Sequence, residues 1–199
     1  MNAERLLICR HAKSTANLRN HEAFGSPDAG LTPRGMLQSG QLGSELENRW
    51  GIDPETTPVA VSRLRRSGAT ARRARFFTGL TQYAVLDEVE HGCSTAAEWQ
   101  EVKAKHTLQP DALQESTEIL RHFFDPDSRP DEHKPRESVW ITHGYRIAHL
   151  IAAARALEYD VRVHHTEEPR DDFIVGHCDI VAISSGQVAC ESLRQYTSR

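Results

Sequence analysis

The sequence predicts an α/β fold: a three-layer sandwich with a central, mostly parallel sheet flanked by helices. Two observations predict it. Four short apolar runs, Leu6–Cys9, Val59–Val61, Tyr83–Leu86 and Val139–Ile141, are continuous rather than alternating, as in strands covered on both faces. Segments of helical periodicity separate them, and strands alternating with helices imply βαβ units.

The elements run in order along the chain. Leu6–Cys9 is the first strand. Thr32-Pro33 caps a helix that carries Leu37, Gly40, Gln41 and Leu46 at helical spacing and runs to about Trp50. Val59–Val61 is the second strand, and Leu64 to Phe77 the second helix. Tyr83–Leu86 is the third strand. Asp111 to Phe124 is a helix with Leu113, Thr117, Leu120 and Phe124 on one face. After the strand Val139–Ile141, Gly144 to Leu157 is a helix with Ile147, Leu150, Ile151, Ala154 and Leu157 on one stripe. Ile180–Ser184 and Val188–Glu191 read as a closing hairpin around Ser185-Gly186-Gln187. The polar, Pro-rich stretch Asp125–Arg136 reads as a surface loop, and Cys93 to Gln109 as an inserted helical excursion. One domain over residues 1–199 with an inserted region at about 93–136 is expected.

Composition narrows the function. With 199 residues, the chain can bury about 70% of the surface its unfolded form exposes. A net charge of −4 argues against a nucleic-acid partner held by bulk electrostatics. Mean hydropathy is −0.56. No apolar run approaches the ~20 residues that span a bilayer, so no membrane partner is expected. The four cysteines, Cys9, Cys93, Cys178 and Cys190, form no C-x-x-C pair and suit a reducing cytoplasm. Oligomeric state is not readable.

The chemistry lies in the residues just after each apolar run. Arg10-His11 comes after the first, the second leads through Ser62 to Arg65-Arg66, the third ends at Asp87-Glu88, and the fourth at Thr142-His143-Gly144. Ligands of open parallel sheets bind outside the carboxyl ends of the strands. Four strand ends thus deliver two histidines, arginines and a carboxylate to one edge. Phosphoryl transfer needs these types. Its transition state spreads negative charge over three oxygens, and a guanidinium grips phosphate bidentately. A neutral imidazole can attack phosphorus, and a protonated carboxyl can supply the leaving oxygen's proton. No G-x-x-x-x-G-K-[ST] is present, and no cysteine has an arginine six positions on. His164-His165 and His177-Cys178 lack metal-ligand spacing. His21, His106, His122, His133 and His149 are expected at the surface, with His91 notable for lying three residues after Glu88.

The segment Leu7–Asn17 (LICRHAKSTAN) resembles the signature of the histidine phosphatase superfamily, also called the phosphoglycerate-mutase-like family. Leu31–Gly35 resembles its Leu-Thr-x-x-Gly element. Ser62–Ala71 is similar to its second arginine motif, Leu86–Gly92 to its proton-donor motif, and Thr142–Gly144 to its second-histidine motif. Glu115-Ser116 with Arg121 resembles the family's helix before the last of these. The resemblance implies hydrolysis of a phosphate monoester through a phosphohistidine on His11. Glu88 would be the acid and then the base that activates water. Arg10, Arg66 and His143 would surround the phosphoryl group, with Asn17 and Gly144 as further substrate contacts. No metal and no cofactor are implied, and the partner would be a small phosphorylated metabolite or a phosphoprotein.

Two departures stand out. Ala12 occupies a place where Gly is commonest, which sets a methyl beside the expected phosphoryl approach. Cys93-Ser94-Thr95 replaces a Trp-Glu-Gly-like element. A phosphomutase is the first alternative. Mutases of the family usually carry a longer basic insertion after the acid, whereas Lys103, Lys105 and Arg121 are scattered here. A non-catalytic phospho-ligand binder is the second, but binding alone needs neither His11 nor Glu88.

Overall fold

Strand β1 (Leu6–Arg10) has Leu6, Leu7, Ile8 and Cys9 all buried, so it must be covered on both faces, and the sheet around it shows how. In the computed structural model, residues 5–18, 26, 29–89, 108–125, 127–166 and 175–185 are described. They form α1 (Pro33–Trp50), β2 (Val59–Ser62), α2 (Arg65–Arg73), β3 (Leu80–Tyr83), α3 (Pro110–Phe124), β4 (Val139–Thr142), α4 (Gly144–Ala156), β5 (Asp160–His164) and β6 (Ile180–Ser184), with 3-10 turns at Thr15–Asn17 and Ala84–Leu86. The strand order is β3-β2-β4-β1-β6-β5. β1, β2, β3 and β4 run parallel. β6 runs antiparallel to β1 and to β5.

Period-2 alternation divides β1 between two cores. Leu6 and Ile8 join Trp140, Val181 and Ile183 beneath α3 and α4, which contribute Ile119, Leu120, Phe123, Ile147 and Leu150. Leu7 and Cys9 join Val59, Val61, Val139 and Ile141 beneath α1 and α2, with Leu42, Leu46 and Ala71. The expected three-layer α/β architecture is present. Each fully buried Leu, Ile or Val contributes ~1.5–3 kcal/mol relative to exposure.

Several elements differ from expectation for identifiable reasons. The third strand is Leu80–Tyr83, not Tyr83–Leu86. As an edge strand it leaves Thr81 and Gln82 exposed, while the apolar run after it forms a 3-10 turn that buries Leu86. β5 also lies at an edge and was not predicted. β6 pairs with β1 and β5; the second arm of the expected hairpin, 188–191, lies outside the described residues, as does the excursion over 93–107. Helix α2 ends early because Arg75 takes a left-handed φ of 73°. That turn lets Phe76 enter the core fully buried. The buried face of α3 is Ser116, Ile119, Leu120 and Phe123, turned from the expected stripe, although Leu113 and Phe124 still pack against its edge. On α4 the expected stripe is the buried one, with Leu157 partly buried. Among the described residues, no helix is long and apolar enough to cross a membrane.

Helix α1 is capped as expected: Gly35 N donates to Thr32 Oγ1 at 3.0 Å. Its buried face is Gly35, Gln38, Ser39, Leu42, Gly43 and Leu46, whereas Leu37 is 72% exposed and Gly40 and Gln41 face solvent. The helix lies so close to its neighbours that a Cβ on Gly35 would sit 2.0 Å from the Lys13 carbonyl oxygen. Small residues, not Leu37, therefore define this interface. Gly35→Ala is expected to destabilise the fold by about 1–3 kcal/mol through overpacking. A urea midpoint equal to that of the parent protein would contradict this packing.

Candidate active site

The parallel strands end at one edge of the sheet, and the pairing register brings their last residues together. Arg10 lies opposite Thr142 in the β1–β4 pair, and His11 N donates to Thr142 O at 2.9 Å. His11 and His143 are thus neighbours across the strand ends, with ring centroids 4.9 Å apart. β2 ends at Ser62 in the same row, and α2 comes next, carrying Arg66. Its neighbour Arg65 is exposed, whereas Arg66 is 6% exposed. Glu88 arrives after the 3-10 turn beyond β3. The structure brings His11, Arg10, Arg66, Glu88 and His143 to one place.

The state of His11 can be read from its bonds. Its Nδ1 lies 2.7 Å from the carbonyl oxygen of Ala12. A carbonyl only accepts, so Nδ1 carries the proton. Arg66 Nε donates to Nε2 at 3.2 Å, so Nε2 presents a lone pair. The ring is the neutral tautomer with its lone pair on Nε2. Electrostatics agree: burial, then His143, Arg66, His177 and Arg10, hold the His11 pKa well below its ordinary value. His143 is likewise lowered, by burial and then by Arg66, Arg10 and Arg146. Its Nε2 lies 2.7 Å from Ser62 Oγ, while its buried Nδ1 has no partner among the described residues. Glu88 has its pKa raised by burial, opposed by Arg66, Arg10 and the backbone amides of Arg146 and Val89. Its Oε1 is buried without a partner among the described residues.

Arg10 is held by its NH1, which donates to Val175 O at 2.7 Å. Arg66 NH1 donates to Ser26 O at 3.2 Å. Asn17 accepts from Ser14 N at 3.0 Å and Ser14 Oγ at 2.8 Å through Oδ1. That turns its amide donor end outward. Gly144 opens α4 directly after His143. The Ala12 methyl is fully buried and belongs to the core beneath α1 and α2. His149, expected at the surface, is fully buried: its Nδ1 donates to Tyr145 O and its Nε2 accepts from Gln109 N. His21, His91 and His106 lie outside the described residues.

One residue at the site was not expected there. His177 packs its ring 5.6 Å from that of His11. It arrives because β6 is antiparallel, so the start of β6 shares an edge with the ends of the parallel strands. Gly176-His177-Cys178-Asp179 just before a strand was the available signal.

A sheet whose parallel strand ends converge on a neutral histidine, two arginines, a second histidine and a buried carboxyl defines a site of the kind that handles phosphate groups. The family model of the histidine phosphatase superfamily (branch 1) matches residues 6–122, more than half of the chain. The chain belongs to this superfamily. Among solved structures, it is similar to a mutant phosphoserine phosphatase from Entamoeba histolytica in complex with phosphoserine, at a TM-score of 0.60 and 16% identity over 89% of each chain. It is also similar to a mycobacterial glucosyl-3-phosphoglycerate phosphatase, at 0.53 and 20% identity over 76% of this chain and 79% of that one. At these identities the likeness is one of fold. No curated protein sequence matches the chain significantly.

The buried histidines and the buried carboxyl respond to pH in opposite senses. His11 and His143 are depressed in the folded state, so the unfolded chain takes up their protons first on acidification. Their contribution is complete above about pH 6.5 and declines as pH falls below it, by up to ~1.4 kcal/mol per pH unit for each. Glu88 is raised, so its contribution is present at low pH and is lost as pH rises through its raised pKa. The two effects oppose each other where the raised titration of Glu88 overlaps the decline of the histidine contributions below about pH 6.5. Urea unfolding of Glu88→Gln, which removes only the opposing term, is expected to show a steeper loss of stability over this range than the parent protein. A shallower loss would contradict the assigned protonation states.

Proposed function

We propose that this protein is a phosphatase that hydrolyses a phosphate monoester through a phosphohistidine on His11. The observation that carries it is the neutral His11 ring, its proton held on Nδ1 by the Ala12 carbonyl and its Nε2 lone pair beside Arg66. Nε2 attacks phosphorus, and the bond to the ester oxygen breaks. Glu88, protonated at the outset, gives its proton to that oxygen. The guanidinium groups of Arg10 and Arg66 and the His143 ring take the charge of the phosphoryl oxygens, with Asn17 Nδ2 and the Gly144 turn bordering them. Water then attacks phosphorus and loses its proton to Glu88, the N–P bond breaks, and phosphate leaves. Each of these steps is carried by a side chain of this protein. The fold likeness to enzymes named for phosphoserine and glucosyl-3-phosphoglycerate supports a small phosphorylated metabolite as substrate.

Two measurements test this. After an alkaline quench with a labelled substrate, acid-labile phosphate is expected on His11, and His11→Ala is expected to abolish turnover. Full activity in His11→Ala would overturn the proposal. Glu88→Gln is expected to slow hydrolysis of an alkyl phosphate by about 10²–10⁴-fold and that of an aryl phosphate with an acidic leaving group far less. Equal losses on both would remove Glu88 as the acid.

A further inference from the structure

His11 and Ala12 share one planar peptide, and that peptide is held at both ends. Its N–H, on Ala12, donates to Thr70 Oγ1 at 3.0 Å. Its carbonyl, on His11, accepts from His177 Nδ1 at 3.1 Å, which fixes the His177 proton on Nδ1. The next carbonyl along the chain, that of Ala12, is the one that accepts from His11 Nδ1. The clamped peptide sets where the chain enters Ala12. The Ala12 oxygen lies on the next peptide, whose Lys13 N–H donates to Gln38 Oε1 at 3.0 Å, and that oxygen sets the His11 tautomer.

His177 is itself held firmly. Cys178 takes a left-handed φ of 63°, a conformation that strains a non-glycine residue and persists where its surroundings over-determine it. Here Cys178 N donates to Arg10 O at 3.1 Å, and Arg10 N donates to Asp179 O at 3.2 Å. The Asp179 carboxylate, 1% exposed, accepts from Gly176 N at 2.6 Å and Thr166 N at 2.9 Å, and lies 2.6 Å from His165 Nδ1. The 175–179 turn is thus tied to Arg10 on one side and to the end of β5 on the other.

We infer that His177 is a positioning residue for the nucleophile: its Nδ1–H clamps the His11–Ala12 peptide against Thr70 and so holds His11 in the tautomer that leaves Nε2 to react. The inference rests on the proposed role of His11, but one of its readouts needs no reaction. Histidine-selective ¹⁵N NMR reports the His11 tautomer without substrate. His177→Phe keeps a ring and removes the donor, whereas His177→Asn keeps a short donor. Thr70→Val removes the opposite hold.

In His177→Phe, His11 is expected to lose its pure Nδ1–H form. Its kcat for an aryl phosphate should fall about 10–100-fold, as misplacements of about 1 Å do, with KM within about threefold. His177→Asn should restore both readouts, and Thr70→Val should move both in the direction of His177→Phe. Should His177→Phe fold poorly, the contrast between His177→Asn and Thr70→Val carries the test. An unchanged His11 tautomer and kcat in His177→Phe would overturn the inference, as would a His177→Asn variant as impaired as His177→Phe, or, where His177→Phe folds poorly, an unshifted Thr70→Val. If the parent protein hydrolyses no phosphate ester while the tautomer still shifts in His177→Phe, the proposed function fails and the clamp stands.

Discussion

The hydrogen bond from His11 Nδ1 to the Ala12 carbonyl governs the site. It leaves Nε2 as the only ring atom with a lone pair to offer, and Arg66 Nε already points at that atom. An imidazolium in this position would set two N–H donors against each other. The ring is therefore neutral on geometric grounds, and the burial and surrounding cations that depress its pKa act in the same direction. The same burial raises Glu88. Burial thus favours the neutral form of both groups, while the arginines reinforce it in His11 and oppose it in Glu88.

This environment exists because the sheet changes direction once. With β1, β2, β3 and β4 parallel, their ends converge on one edge, and those ends with the segments that follow them supply Arg10, His11, Arg66, Glu88 and His143. Antiparallel β6 then begins where the others end. Its leading turn lies against β1, through Cys178 N on Arg10 O and Arg10 N on Asp179 O. A parallel strand in that position would have brought its carboxyl end to this edge, and residues 175–179 to the opposite one.

The fold was legible in the sequence wherever burial writes a pattern into the chain. Strands β1, β2 and β4 are covered on both faces, so their runs are continuous and unmistakable. Edge strands β3 and β5 have weak apolar patterns, with Thr81, Gln82 and Asp160 exposed. The Tyr83–Leu86 run misled because a 3-10 turn can bury Leu86 as well as a strand can. On α1 the apolar stripe misled because close approach to Lys13 and Ala74 requires glycine at 35 and 43, and glycine carries no hydrophobic signal. The five principal site residues were legible because each comes directly after a strand or turn in the chain. His177 precedes its strand, and nothing local announces that the strand is reversed.

Backbone accounting explains why the segment carrying His11 can be rigid without regular structure. Every polar main-chain group from His11 to Lys13 has a partner. His11 N donates to Thr142 O, and His11 O accepts from His177. Ala12 N donates to Thr70, and Ala12 O accepts from the His11 ring. Lys13 N donates to Gln38 Oε1, and Lys13 O accepts from Thr32 N and Oγ1. Those partners come from β4, the turn before β6, α2, the ring itself, and the cap and first turns of α1. A loop tied to that many elements has little freedom left to lose when a ligand binds, so binding energy need not be spent on ordering it. Packing in turn explains why alanine is accepted at position 12. The Ala12 side chain belongs to the core that also holds Leu7, Cys9 and Leu42, where a methyl adds about 0.8 kcal/mol of burial.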